Sequence, residues 1–77
     1  MSDRLIDLFA DVLQVEASIL TDESTPDSVV EWDSLGAMNL VAEIETQFSV
    51  RLTTREIMRM ASIGLAREAL QSKGVEV

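Results

Sequence analysis

The sequence has no cysteine and no histidine. Without thiols there is no disulfide framework, no thiolate nucleophile and no thiolate metal ligand. Without imidazole the usual general base of nucleophilic catalysis is missing too, so no catalytic residue and no metal site is assigned. Bases are scarce: six Lys and Arg stand against fourteen Asp and Glu, for a net charge of −8. So few cations cannot neutralise a phosphate backbone, which argues against nucleic acid as a partner. No apolar run approaches the roughly 18 residues of a membrane span. The opening stretch MSDRLIDLFADVLQV interleaves acids with its apolar residues and has no secretory pattern, so a cytoplasmic protein is expected.

What is present fits one small domain covering residues 1–77. Hydrophobic residues make up 47% of the chain, enough for a core, although a chain of this size buries only roughly 60% of its unfolded surface. Charge is unevenly spread. Residues 1–45 hold eleven acids against Arg4 alone, a net −10, while residues 46–77 hold five bases against three acids, a net +2. An acidic half suits steered encounters with basic surfaces, and it equally suits a solvated face that merely keeps a small protein soluble.

Hydrophobic spacing predicts an all-α protein. From Asp3 to about Val15, the residues Leu5, Ile6, Phe9, Val12 and Leu13 form one helical stripe, with Ser2 or Asp3 as its cap. Residues 16–33 have no sustained period and carry turn formers, including the single proline, Pro26. In this long loop Ile19, Leu20, Val29 and Val30 are expected as apolar pins, and Trp32 is expected to pack the loop's end on the body. Ser34 to Phe48 is the strongest helix, with Ala37, Leu40, Val41, Ile44 and Phe48 on one face. Leu35, Met38 and Ala42 form a second line, either extra core or an exposed contact strip. Thr53 or Thr54 caps a short helix through about Met60, with Ile57 and Met60 inward. Ser62 caps a last helix to about Ser72, followed by Lys73 and a stop at Gly74. The acids of residues 22–33 lack the alternating spacing and central glycine of a calcium loop.

Asp33-Ser34-Leu35 sits where the long loop meets the best helix. A hydroxyl at a helix start lies among backbone N–H groups and a dipole that favour a negative group such as a phosphodiester. Either Asp33 or Ser34 also serves simply as an N-cap, and residue type at one site does not separate the two roles.

The segment EWDSLGAMNLVAEIETQFSVRLTTREIMRMASIG resembles the acyl carrier protein family. The likeness rests on an ordered set: Asp33-Ser34-Leu35, Leu40-Val41, Ile44-Glu45-Thr46-Gln47-Phe48, Val50 and Leu52, then Ile57, Met60, Ser62 and Ile63. It extends over nearly the whole chain. The resemblance implies a four-helix bundle, three main helices plus one short one, with a long loop between the first two. It implies that Ser34, flanked by Asp33 and Leu35, accepts 4′-phosphopantetheine from coenzyme A through a separate phosphopantetheinyl transferase. The arm would then carry an acyl or aminoacyl group as a thioester, so the chain would be a substrate of its partners and not an enzyme.

The same resemblance implies partner docking through Asp33, Met38, Ala42 and Glu45 onto basic patches of acyl-loading and acyl-processing enzymes. It makes Leu40, Ile44, Leu52, Ile57, Met60 and Ile63 candidate linings of an acyl pocket. Gly36 and Asn39 stand where housekeeping fatty-acid carriers usually have acids, and the Trp-Asp-Ser-Leu-Gly form is similar to stand-alone carriers of specialised pathways: polyketide-like, aminoacyl, lipid or surface-sugar. Arg51, Arg55 and Arg59 are spaced to line up if the short helix is long enough. The alternative is a helical interaction module with the same fold that is never modified.

Overall fold

In the computed structural model, which describes residues 3–77, the elements are helix α1 (Arg4–Leu13), a 3-10 turn (Ala17–Ile19), α2 (Ser34–Phe48), α3 (Thr54–Arg59) and α4 (Ile63–Ser72). No strand occurs among the described residues, and the all-helical bundle with a long first loop is the fold expected. None of these helices is long and apolar enough to cross a membrane.

Each helix begins on a side-chain cap. The Asp3 carboxylate accepts from the N–H groups of Leu5 and Ile6, whereas Ser2 lies outside the described residues. Thr53 and Glu56 form a reciprocal capping box on α3, and Ser62 accepts from the Leu65 N–H on α4. Such caps contribute about 1 kcal/mol each, which matters most for a helix as short as α3. Two helices end on non-glycine residues in the left-handed region, Gln14 (φ 59°) and Ser49 (φ 54°). Gln14 stops α1 two residues short of Val15, the end expected from the hydrophobic stripe.

The core is one cluster in which Leu5, Phe9, Leu40, Ile44, Ile63 and Leu70 are the largest fully buried side chains. On α1 the buried set is Leu5, Leu8, Phe9 and Leu13, while Ile6 and Val12 are half-buried at its edge. Leu8 was therefore missed by the stripe as read, because α1 is packed on several sides: against α2, the 3-10 turn and α4. Arg4 lies 4.7 Å over the Phe48 ring, and the Leu13 side chain sits beside Gly36. The start of α1 thus meets the end of α2 and the reverse, so the two run antiparallel.

The long loop is held at both ends. Leu20 and Val29 are buried as pins, but Ile19 and Val30 point outward, at 61% and 87% exposed. Near its beginning, the carbonyl oxygens of Asp22 and Ser24 accept from Gly64 N–H (2.8 Å) and Ile63 N–H (3.1 Å), which satisfies the first turn of α4. Arg67 on α4 then bridges Asp3 at 2.7 Å and Asp22 at 2.9 Å, tying the start of α1, the loop and α4 together. Near the loop's end, Trp32 is buried and meets Phe9 edge-on, with ring centroids 5.1 Å apart.

Candidate functional site

Trp32 anchors the residues that follow it. With its ring fixed on Phe9, the backbone turns directly into α2, and the Glu31 carbonyl is brought against the first turn of that helix. A Cβ on residue 36 would lie 2.7 Å from this oxygen, so the position requires glycine for a close backbone approach. Gly36 is buried there.

Asp33 takes the capping role. Its Oδ1 accepts from the Gly36 N–H at 2.8 Å, and its carbonyl accepts from the Ala37 N–H at 2.8 Å. Ser34 is the first residue of α2 and is exposed. Among the described residues its hydroxyl has no hydrogen-bond partner, and the backbone N–H groups of Ser34 and Leu35 have none either. Of the two candidates for the cap, Asp33 fills it, and the Ser34 hydroxyl is left without that role. An exposed hydroxyl beside unpartnered N–H groups at the positive end of a fifteen-residue helix can take and stabilise an anionic ester.

Leu35 and Met38 are 66% and 70% exposed, and Ala42 is exposed one turn further along the same line. The second apolar line of α2 is therefore a surface strip and not core. Glu45 differs from the acid expected at the end of that strip. Its carboxylate accepts from the Leu52 N–H at 2.9 Å, so it is engaged in holding the chain after α2. Five of the six residues named for an acyl pocket, Leu40, Ile44, Leu52, Met60 and Ile63, meet in the one core. Ile57 does not face inward as expected; it is 36% exposed on α3. That helix is too short to carry three arginines in line: Arg51 precedes it, and Arg51, Arg55 and Arg59 are exposed without an ion pair among the described residues. The Arg67 bridge was not foreseen, since no local signal pairs a residue with partners 45 and 64 positions away.

A family model described as a phosphopantetheine attachment site matches residues 3–69. The chain belongs to the acyl carrier protein family. Polyketide-8 synthase acyl carrier protein 2 of Streptomyces avermitilis is 31% identical to this carrier over 71 residues, covering 92% of this chain and 82% of the relative. The protein is thus an acyl carrier of a biosynthetic pathway, with covalent 4′-phosphopantetheine as its cofactor. The residues at the start of α2 fit that group: an exposed, unpartnered hydroxyl, two free N–H donors for a phosphodiester, and no acid in the first turn beyond the cap itself.

Proposed function

We propose that Ser34 is the attachment residue, and that residues 1–77 act as a single, monomeric, non-catalytic carrier domain in the cytoplasm. The observation that carries this reading is the division of labour at the start of α2: Asp33 occupies the cap, while the Ser34 hydroxyl is exposed and unpartnered. On a phosphopantetheinyl transferase, the Ser34 oxygen attacks the phosphorus of coenzyme A that bears the pantetheine. The bond to the adenosine 3′,5′-bisphosphate half breaks, and the serine proton passes to a base of the transferase. Once attached, the arm's thiol holds the acyl group as a thioester. The chain itself contributes presentation, raising the effective concentration of cargo at each partner.

The strip of Leu35, Met38 and Ala42, with Asp33 at its head, supplies a docking face of apolar centre and acidic rim for basic patches on loading and processing enzymes. Glu45 belongs to that face only at its far end, since one of its oxygens serves Leu52. The core residues Leu40, Ile44, Leu52, Met60 and Ile63 would line a space for an acyl chain, with Ile57 at its outer edge and Met60 the most adaptable of them. The likeness to a polyketide synthase carrier favours a polyketide-type cargo over an aminoacyl, lipid or surface-sugar one.

The test is the intact mass after incubation with coenzyme A, magnesium and a broad-range transferase, with Ser34→Ala beside it. A gain of one phosphopantetheine that the substitution abolishes supports Ser34. A gain that survives the substitution refutes it, and no gain with a proven transferase turns attention to an unmodified interaction module.

A further inference from the structure

A groove of about 330 Å³ opens beside Ser34, between the long loop and the start of α2, lined by Pro26, Trp32, Asp33, Ser34 and Ala37. Its walls are a proline ring, an indole and a methyl group, and its single charged member is the capping carboxylate. Trp32 is only 5% exposed. Its indole N–H has no acceptor among the described residues, yet no fully buried side-chain nitrogen is left unpaired. The N–H therefore reaches the surface of an otherwise buried ring, as an unused donor two residues from the attachment hydroxyl. A tryptophan so placed usually finds a partner. Here none is supplied by the described residues.

We propose that this groove is the resting place of the near end of the phosphopantetheine arm, with the Trp32 indole N–H as its hydrogen-bond donor; the inference rests on Ser34 being the attachment residue. The chemistry matches along its length. Nearest the serine comes the phosphodiester, which meets the free N–H groups of Ser34 and Leu35 at the start of α2. Next comes a carbon bearing two methyl groups, which suits the apolar surface of Pro26, Trp32 and Ala37. Beyond it lie a hydroxyl and an amide carbonyl, acceptors for the indole N–H. The groove is too small to take the whole arm with cargo, so the thiol end stays outside. This places the arm's base on the loop side of α2, where Trp32 both anchors the loop on Phe9 and touches the cofactor.

The chain has one tryptophan and no tyrosine, so the indole proton is an unambiguous reporter by NMR. Holo-protein is prepared with isotopic label in the chain and an unlabelled arm, its mass is verified, and NOEs between labelled and unlabelled protons are recorded. Expected are NOEs from the indole N–H and ring edge to the paired methyl groups of the arm. Trp32→Phe, which keeps an aromatic ring against Phe9 but has no donor, lacks the indole reporter and is read on the NOEs from the Pro26 and Ala37 side chains to the same methyl groups, which should weaken several-fold. Ala37→Leu, which fills the groove from α2, should abolish the NOEs from the Trp32 indole and does not depend on the tryptophan variant folding. A holo-protein whose arm shows no such NOEs, or shows them to Leu52 and Met60 instead, overturns the groove while leaving attachment intact. A protein that takes on no mass refutes both. Undiminished NOEs in both variants would likewise overturn the proposal.

Discussion

The Glu31 carbonyl oxygen and the α-carbon of Gly36 approach so closely that a Cβ at residue 36 would lie 2.7 Å from that oxygen and 3.1 Å from the Leu13 side chain. In an ordinary helix interior, glycine to alanine is stabilising by about 1 kcal/mol. Here the obstructing atom is backbone, fixed by the buried Trp32 next to it. Gly36→Ala should therefore destabilise, by about 1–3 kcal/mol as for an overpacked core site. Urea denaturation of the two proteins checks this. A stabilised Gly36→Ala would mean that the loop end gives way freely. Because the contact also sets the entry to α2, the variant should be loaded more slowly by the transferase.

Asp33 combines two roles that substitution can separate. Asp33→Ala removes the acceptor for Gly36 N–H and should cost about 0.5–2 kcal/mol. Asp33→Asn retains a good cap but removes the charge, so its denaturation midpoint should stay near that of the wild type. If Asp33 contributes to docking on basic patches, the asparagine variant should still load more slowly at low ionic strength, and the difference should fade in high salt. Equal loading rates at all salt concentrations would confine Asp33 to capping.

Acid should loosen the tie between the start of α1, the loop and α4. The hydrogen bond from Arg67 is the main reason that the Asp3 carboxyl is held below its ordinary value of 3.8, against a smaller opposing effect of burial. The Glu56 carboxyl is also lowered, first by the Thr53 N–H and then by Lys73 at 2.9 Å. A carboxylate with a depressed folded-state pKa stabilises fully above its unfolded value and loses that contribution as pH falls through the folded value. Stability should thus be level near neutral pH and decline below about pH 4. Asp3→Asn should be less stable than wild type at pH 7 and converge with it in acid. The gap is expected to be under about 1 kcal/mol, because the carboxylate is largely solvated. Melting temperatures from pH 7 to pH 3 test this, and a gap that widened in acid would contradict it.

The helices were legible because caps and spacing agree: Ser34–Phe48 and Ile63–Ser72 fall where the sequence pattern puts them. The end of α1 was not, since Gln14 enters the left-handed region with no glycine or proline to announce it. For α2 the spacing puts Leu40 and Ile44 on the main face, as found, but leaves Leu35, Met38 and Ala42 open between core and surface. Leu35 and Met38 are as hydrophobic as Leu40 and Ile44, and only the packing of α2 on α1 shows that this second line stays outside. The motif singles out Ser34 as the expected attachment residue, but its freedom from the capping role needed the Asp33 hydrogen bond. Glu45 illustrates the opposite case: an acid read as a docking residue is held by a backbone N–H seven positions away. The Trp32 groove depends on the loop folding back, a tertiary event with no periodic signal.

The two apolar lines of α2 should separate stability from partner recognition. Ile44 is fully buried, and Ile44→Ala should cost about 2–5 kcal/mol. Leu35→Ala and Met38→Ala remove mostly solvated side chains and should change stability by less than about 0.5 kcal/mol. If the outer strip is the docking face, the same two substitutions should lower kcat/KM for the transferase or a processing enzyme about five- to thirty-fold, the loss expected for a centre-of-interface anchor worth about 1–2 kcal/mol. Since the Ser34 hydroxyl and its helix remain intact, that loss would reside in encounter and not in the acceptor. Unfolding curves and loading kinetics on the same protein samples distinguish the outcomes. Wild-type kinetics in both variants would remove the strip from the docking face and leave it as solvent-facing surface.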